Sequence, residues 1–509
     1  MMLALAVACV SGLLVSIIGC RVEKAHLDAC PADHPTSCLA QHDHKREVSN
    51  SEGSPFGFHP ALPFEVAREM GVKWTRGAET PYLFWSMVDP NRQGARAPLR
   101  WKGELIRPDG GLGFFDFDSL FQVNTSGLAM LQNIDVQPPE PHETHFKPGT
   151  WLPTDVDAYK EFVRASVRRY SFIKYWQIGN EPNLALKSAD YAQYQKISYE
   201  AIKEADPSAR VLIAGLAGNM DLYSLNDPGY EPVLRELNGR YLDVFDVHFY
   251  GDAKGGSTVL KDPKGKKSRF LGYRDFKLVY DYYRGLLDRN GFAHVPIWVT
   301  EMGTPSGESH FGPQILSQTE AEQARDLLKR HVYPMALGVQ KIFWAFAILE
   351  GFGEWDNDFF DHTGLIYSGR DGVHKPGDRK LGYYTYKLMS EKLDGCDLSR
   401  IETVMEDDVN HVYVYKFARH GQNVLVAWWD FFADETYPSK KARKVVLTGM
   451  DTVRMEMTEA IPGFSSGKEV NSRDYKASFK TNTFKVHKGE VSITLSENPV
   501  YLETPTRAP

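Results

Sequence analysis

The sequence is poor in several features that mark particular classes of protein. Five cysteines in 509 residues are too few for a fold held together by disulfides. Neither sign of charge dominates, since 59 basic and 66 acidic side chains leave a net charge of −7, and no strong field would attract nucleic acid or an acidic membrane. Heptads, internal repeats and low-complexity tracts are absent from the sequence. What remains is a globular composition with 42% hydrophobic residues.

One long apolar run stands at the amino terminus. Residues 2–19 carry no charge, and their length and position are typical of a signal peptide rather than a transmembrane helix. The run ends in Ile17-Ile18-Gly19-Cys20, which resembles a bacterial lipobox in which Cys20 would receive the lipid. Because no Lys or Arg precedes the run, ordinary secretion with cleavage near Gly19 stays open as the alternative. Either route predicts an extracytoplasmic protein, secreted or lipid-anchored at the bacterial cell envelope.

The rest of the chain divides into three segments by composition. Residues 21–53 are polar and rich in Pro, His and Ser, which indicates a tether. In an oxidising compartment Cys30 and Cys38 could pair there, leaving Cys396 as a buried thiol. Residues 54–395 alternate apolar runs with amphipathic segments, and residues 396–509 alternate like strands throughout. We therefore expect a tether, a large catalytic domain and a β-sandwich.

The catalytic segment predicts a (β/α)8 barrel, an α/β fold. Eight short apolar runs are predicted as strands: 56–58, 72–77, 128–136, 173–179, 211–217, 244–251, 296–303 and 341–349. Segments of helical period lie between them, at 63–71, 157–170, 191–205, 232–242, 273–290, 320–337 and 381–395. Near-continuous apolar strands indicate a parallel sheet buried on both faces. Eight units favour a closed barrel, and the lack of a Gly-x-Gly-x-x-Gly opening disfavours a nucleotide-binding sheet.

Two glutamates follow the fourth and seventh predicted strands. In a barrel of this kind chemistry lies at the carboxyl ends of the strands, which places Glu181 and Glu301 at one mouth. Carboxyl groups about 5 Å apart suit a retaining glycoside hydrolase, in which one attacks the anomeric carbon and the other transfers protons. We predict Glu301 as the nucleophile and Glu181 as the acid/base of a double displacement. Ordinary surface carboxylates are the alternative.

Five further strand-end residues are candidates for substrate binding. Arg76 and Tyr250 could hold the nucleophile ionised by charge and hydrogen bonding. Asn180 could bond the 2-hydroxyl of the sugar, His248 could lie in the site, and Trp344 could stack on a sugar ring. Three of them have a structural alternative: Arg76 could pair with a structural acid, His248 could be a core histidine, and Trp344 could be barrel core.

These motifs resemble the clan A glycoside hydrolases, the retaining four-seven superfamily of barrels. The resemblance rests on Asn180-Glu181-Pro182 and Glu301 and spans roughly residues 54–395. It implies the acid/base role for Glu181, the nucleophile role for Glu301, and site positions for Asn180, His248, Tyr250 and Trp344. The stretch 364–376 and Tyr383-Tyr384 is similar to the closing segment of several clan families. The carboxyl-terminal segment resembles the β-domains of the β-xylosidase/α-iduronidase family and of neighbouring families.

Two charged clusters offer further binding possibilities. Acidic side chains follow the eighth strand and could chelate Ca²⁺, although a polar rim fits them better because the twelve-residue Ca²⁺ pattern is missing: Glu354, Asp356, Asp358 and Asp361. We expect no metal and no cofactor. Basic side chains follow the sixth strand, as a solvated loop or as a contact for an anionic sugar: Lys254, Lys261, Lys264, Lys266, Lys267 and Arg269.

Three rival functions share parts of this pattern. A transglycosylase would form the same covalent intermediate and pass the sugar to another sugar. A non-catalytic carbohydrate-binding lipoprotein would keep the barrel without turnover, which the intact glutamate pair disfavours. A metallohydrolase barrel is disfavoured because no His-x-His ends the first strand.

Overall fold

The structure is a computed structural model of the chain. It describes residues 52–78, 82–106, 112–136, 146–147, 150, 152–184, 186–217, 229–253, 258–261, 267–311, 314–351, 359–419, 421–433, 437 and 439–505. The predicted signal peptide with Cys20, and the tether up to residue 51, lie outside these residues. Among the helices described, none combines the length and the apolarity that crossing a membrane requires.

Eight parallel strands form the predicted barrel. They are β1 (Phe56–His59), β2 (Trp74–Arg76), β3 (Ala129–Asp135), β4 (Tyr175–Ile178), β5 (Arg210–Ile213), β6 (Phe245–Tyr250), β7 (Ile297–Gly303) and β8 (Ile342–Ala345). The hydrogen-bonded order runs from β5 back to β1 and on through β8 and β7 to β6. Almost every strand residue is buried, which is why the strands appear in the sequence as unbroken apolar runs. The predicted fold class is confirmed.

Each barrel strand is followed by a helix on the outside of the sheet. They are α1 (Phe64–Glu69), α2 (Leu120–Ser126), α3 (Val156–Arg169), α4 (Ser188–Ala205), α5 (Glu231–Leu237), α6 (Phe276–Arg289), α7 (Glu320–Ala336) and α8 (Leu381–Leu393). Local chemistry fixes where some of them begin. Thr319 and Glu322 form a capping box at the start of α7, and the Asp155 side chain accepts the Ala158 N–H at the start of α3.

The barrel closes between β5 and β6. In the described residues this seam has a single bridge pair, Leu212 with Val244, whereas the other neighbouring strands pair over two or more residues. The amino-terminal end of the interior is filled by large apolar side chains, among them Trp74, Trp298 and Phe343. The barrel is therefore a packed core with no pore, and its other end is left for the site.

Three β-hairpins project from the barrel. The strands 102–106 and 112–116 pair within the excursion after β2, 258–261 pairs with 267–270 after β6, and 307–311 pairs with 314–318 after β7. A short strand, Tyr82–Phe84, adds to the outer edge of β3. The excursions after β6 and β7 leave the carboxyl ends of those strands, so they lie on the face of the barrel where the two glutamates are.

The carboxyl-terminal strands form the predicted sandwich. They are β9 (Glu402–Asp407), β10 (Val412–Arg419), β11 (Gln422–Trp429), β12 (Arg443–Leu447), β13 (Arg454–Glu459), β14 (Thr481–Lys485), β15 (Val491–Leu495) and β16 (Val500–Glu503). A six-stranded antiparallel sheet packs on the pair formed by β12 and β15. The face of β11 that points away from the pair β12 and β15 packs on the barrel. There the Trp428 indole donates to the Tyr273 hydroxyl at 2.7 Å.

Candidate active site

Glu181 and Glu301 converge at the carboxyl ends of β4 and β7. One carboxylate oxygen of each and one ring nitrogen of His248 lie within 4.8 Å of one another. This spacing agrees with the roughly 5 Å between carboxyl groups that a retaining double displacement requires. The sequence placed both side chains at one mouth of the barrel, and the structure brings them together there.

A β-bulge in β7 aims Glu301 into the barrel mouth. The pairing of β7 with β6 slips by one residue between Val299 and Glu301. The slip allows the consecutive side chains of Thr300 and Glu301 both to face the site, which a regular strand would forbid. Thr300 bonds Asp246 on the neighbouring strand. The bulge that positions Glu301 is buried.

Two donors hold the Glu301 carboxylate. The Arg76 guanidinium donates to one oxygen at 2.5 Å, and the Tyr250 hydroxyl donates to the other at 2.8 Å. Burial raises the pKa of Glu301, but the nearby charges of His248 and Arg76 outweigh it and hold that pKa below its ordinary value. Glu301 is therefore a carboxylate near neutral pH, as an attacking group must be.

Arg76 connects the two halves of the site from beneath. Its side chain is fully buried, and its other two nitrogens donate to Gln177 at 2.8 Å and to the Asn180 side-chain oxygen at 2.7 Å. One guanidinium therefore orients both the nucleophile candidate Glu301 and the residue before the acid/base candidate. Arg76 lies where the sequence predicted it, and so does Asn180.

The backbone at Glu181 is strained. Glu181 has φ of 45°, in the left-handed region that residues other than Gly rarely adopt. Gly179, two residues earlier, has φ of 74°. The Glu181 N–H donates to the Gly215 carbonyl at 3.2 Å, which holds this turn against β5. Such strain costs about 1–3 kcal/mol and persists where the surroundings fix it. It turns the Glu181 side chain, which is partly exposed, toward His248.

His248 lies between the two glutamates. Its Nδ1 is 3.0 Å from a Glu181 oxygen and 3.4 Å from a Glu301 oxygen. Burial lowers its pKa, but Glu301 and the other nearby carboxylates overcome this and raise the pKa to about 10. Gly215 makes the position possible, because a Cβ there would come within 2.2 Å of the imidazole. The sequence predicted His248 as a candidate for the site. In the structure it lies between the two glutamates and close to both.

Comparison with known proteins gives the fold a name. No family model matches the sequence, and no curated protein matches it. Solved structures do match. One is a family 39 glycoside hydrolase from Bacteroides cellulosilyticus, with a TM-score of 0.59 and 17% identity over 89% of this chain and 82% of that chain. Two others are an α-L-arabinofuranosidase from Thermotoga maritima (TM-score 0.53, 13% identity, 89% of this chain and 92% of that chain) and a β-xylosidase from Caulobacter crescentus (TM-score 0.51, 16% identity, 91% of this chain and 94% of that chain). The chain shares the fold of these glycoside hydrolases, a (β/α)8 barrel with a carboxyl-terminal β-sandwich.

The structure also brings residues to the site that the sequence did not point to. Asp246 lies behind His248, and its Oδ2 is 3.4 Å from the His248 Nε2. His59, the last residue of β1, places its Nε2 3.7 Å from Glu301. Strand alternation could have revealed Asp246, because residues 246, 248 and 250 share one face of β6. His59 had only its strand-end position as a signal.

Trp344 corrects one prediction. The side chain is fully buried, its ring stacks on His331 of α7, and its indole nitrogen donates to the Thr363 carbonyl at 2.8 Å. It packs between the barrel and its helices, so it offers no face to a sugar. Phe346, two residues later, is an aromatic ring beside the site, stacked on Tyr250 with 6.1 Å between ring centroids.

The two charged clusters are only partly described. Glu354, Asp356 and Asp358 lie outside the described residues, whereas Asp361 is buried at the start of a short 3-10 turn. The side chains of the basic segment 254–269 are likewise outside the described part. A metal between Glu181, His248 and Glu301 would have to share Glu301 with the Arg76 guanidinium, so the cluster suits proton transfer and nucleophilic attack better than cation binding.

Proposed function

We propose that the protein is a retaining glycoside hydrolase that cleaves an O-glycosidic bond of a poly- or oligosaccharide by double displacement. The observation that carries the proposal is the contrast between two close carboxyl groups. Glu301 is buried and held by Arg76 and Tyr250, whereas Glu181 is partly exposed and held by His248 alone among the described side chains. A pair of carboxyl groups at this spacing in different environments is what the mechanism needs.

The two steps follow from these positions. In the first, a Glu301 oxygen bonds to the anomeric carbon as the bond to the leaving oxygen breaks, and Glu181 gives its proton to that oxygen. In the second, Glu181 takes a proton from water as the water oxygen bonds to the anomeric carbon and the bond to Glu301 breaks. Asn180, oriented by Arg76, is placed to bond the sugar 2-hydroxyl.

The direct test is a panel of substrates offered to the purified mature chain. Arabinofuranosides, xylosides and glucosides should come first, because solved structures with this fold are described as an α-L-arabinofuranosidase, a β-xylosidase and a glucosidase. Product of retained configuration from any glycoside supports the proposal, and inverted product contradicts it. Transfer to an added sugar in preference to water would identify a transglycosylase, and binding without cleavage a carbohydrate-binding protein.

We also propose that the substrate carries negative charge. The support is the sequence of the excursion after β6, where residues 254–269 include six basic residues and a single acidic one, Asp262. Uronic acid and sulfated polymers therefore belong in the panel. Their cleavage should weaken from low to high salt, because exposed charge contacts of about 0.5–1 kcal/mol are screened. Salt-independent cleavage of neutral substrates alone would contradict this part of the proposal.

For location we propose a lipid anchor at Cys20. In a bacterial host the wild-type protein should partition with membranes and incorporate labelled fatty acid, because the lipobox cysteine carries the lipid. Cys20→Ser should abolish the label, and Cys30→Ser is the matched control that should keep it. A wild-type protein that is soluble and cleaved near Gly19 would show plain secretion instead.

A further inference from the structure

His248 is surrounded by three carboxyl groups: Asp246 and Glu301 are ionised on opposite sides of the ring, and Glu181 alternates between acid and carboxylate in the proposed mechanism. Its Nδ1 faces Glu181 and Glu301, and its Nε2 faces Asp246 at 3.4 Å. A neutral imidazole has a single N–H, so one of its nitrogens would meet a carboxylate lone pair to lone pair. Only the doubly protonated ring can donate toward both sides. The geometry by itself therefore favours an imidazolium at this position.

Asp246 is fixed more firmly than the other two carboxylates. It is almost fully buried, and its Oδ2 accepts from the Thr300 hydroxyl at 2.7 Å, the Gly215 N–H at 2.8 Å and the Gln177 amide at 2.5 Å. Its Oδ1 accepts the Thr300 N–H at 3.0 Å. These donors, from β4, β7 and the segment after β5, hold the carboxylate in place. Burial raises the pKa of Asp246, but the hydrogen bond and charge of His248, the charge of Arg76 and the Thr300 hydroxyl outweigh it and lower that pKa.

Negative charge moves between the two glutamates during a double displacement. When Glu301 bonds to the sugar it becomes a neutral ester, and Glu181, having given up its proton, becomes the carboxylate. The second step reverses this, since the leaving Glu301 recovers the electron pair and Glu181 is reprotonated. In each step one carboxylate gains charge as the other loses it. The N–H at His248 Nδ1 is within reach of both.

We propose that Asp246 is a positioning residue that keeps His248 an imidazolium, so that its Nδ1–H stabilises whichever glutamate is gaining negative charge. This rests on the proposed glycosidase function. Asp246 touches neither glutamate in the contacts described and acts through the histidine ring. The pKa of His248, raised to about 10 by Glu301 and the other two carboxylates, agrees with a ring that stays charged throughout the working pH range.

The other charged groups around His248 fit this assignment. Arg76 on β2 is a permanent cation, but it is bound to Glu301 and Asn180 on its own side of the site. His59 on β1 is neutral, because burial and the Arg76 charge lower its pKa to about 3. Glu181, Asp246 and Glu301 complete the set. Of the two histidines beside the nucleophile, His248 is therefore the one that carries charge.

The test is Asp246→Asn, which keeps shape and removes the anion. Removing an anion disfavours the imidazolium, so the pKa of His248 should fall by about one to two units toward the assay range. Activity should then be lost as pH rises through the new pKa and be kept below it. An activated aryl glycoside is the substrate to use, because its first step needs little protonation and the loss of a proton from Glu181 does not mask the effect.

Rapid-mixing kinetics should show both half-reactions slowed about 10- to 100-fold at alkaline pH, with most of the rate recovered at lower pH. Asp243→Asn is the matched control, a carboxylate three residues earlier that bonds Lys203 and the Val211 N–H away from the site. It should leave the pH profile unchanged. A uniform loss in Asp246→Asn at every pH would reduce Asp246 to a structural residue and overturn the proposal.

Nuclear magnetic resonance of ¹⁵N-histidine provides a readout independent of turnover and of the variant's folding. In the wild-type protein the His248 ring should be doubly protonated at pH 8, and a neutral ring there would overturn the proposal outright. Should the wild-type chain cleave no glycoside, the proposed function fails, yet comparing the titration of His248 in the wild-type protein and in Asp246→Asn still decides whether Asp246 keeps the ring charged. The two failures are therefore distinguishable.

Discussion

Glu301→Gln is expected to lower turnover by roughly 10⁴-fold or more, equivalent to about 5–6 kcal/mol of transition-state stabilisation. The amide cannot form the covalent bond to the sugar, although it keeps the size of the side chain and an oxygen that can still accept from Arg76. The variant should therefore fold, and its circular dichroism should match that of the wild-type protein. Initial rates on the best substrate of the panel provide the measurement.

Two further variants make this expectation sharper. Glu308→Gln changes an exposed glutamate in the hairpin after β7 and should leave the rate unchanged. Glu301→Gly opens space beside the anomeric carbon, and with added azide it should yield a glycosyl azide of inverted configuration, because azide attacks where the carboxylate would have. Near-normal activity in Glu301→Gln would remove Glu301 from the nucleophile role.

Glu181→Ala is expected to divide substrates by their leaving groups. The kcat/KM for a poor leaving group should fall by about 10²–10⁴-fold, whereas kcat/KM for an activated aryl glycoside should change little, since its departure needs hardly any proton. The alkaline limb of the pH profile should disappear with the acid. Ala is a suitable replacement because the φ of 45° strains Ala as it strains Glu, so the backbone penalty stays the same.

The comparison needs both substrate types in one preparation. With the activated substrate the covalent intermediate should accumulate, because the second step lacks its base, and azide should restore turnover. Glu200→Ala, a change in a surface ion pair of α4 with Lys160, is the control for general loss of stability. An equal loss of kcat/KM on both substrate types would refute the acid/base role of Glu181.

The barrel could be predicted from sequence because its strands are buried on both faces. Unbroken apolar runs such as 341–349 mark a parallel strand, and in an eight-strand barrel the end of each strand falls at a known mouth. That reasoning sufficed to bring together Arg76, Glu181, His248 and Glu301. It required no knowledge of side-chain direction, because the carboxyl ends of all eight strands meet at the same end of the barrel.

The direction of individual side chains could not be predicted from the sequence pattern. In β8 both faces are apolar, so the pattern cannot tell that Phe343 fills the interior while Trp344 packs outward on α7. The bulge at Thr300 is a one-residue slip with no signal in residue type. Asp246 could have been predicted. Polar side chains stand at every second position of this buried strand, at 246, 248 and 250, and this alternation marks the face that points into the barrel.

The closure between β5 and β6 has a consequence for local opening of the barrel. Its backbone pairing is sparse, but the Asp246 carboxylate on β6 reaches across it to the Gly215 N–H, and the Glu181–His248 contact crosses the same line. Local opening there would draw the two glutamates apart. A ligand gripping both should hold the gap shut, so amide protons of 211–213 and 244–246 should exchange with deuterium more slowly in its presence, whereas those of 56–58 should be indifferent. Bound substrate would then stabilise the closure between β5 and β6, where backbone pairing is sparse.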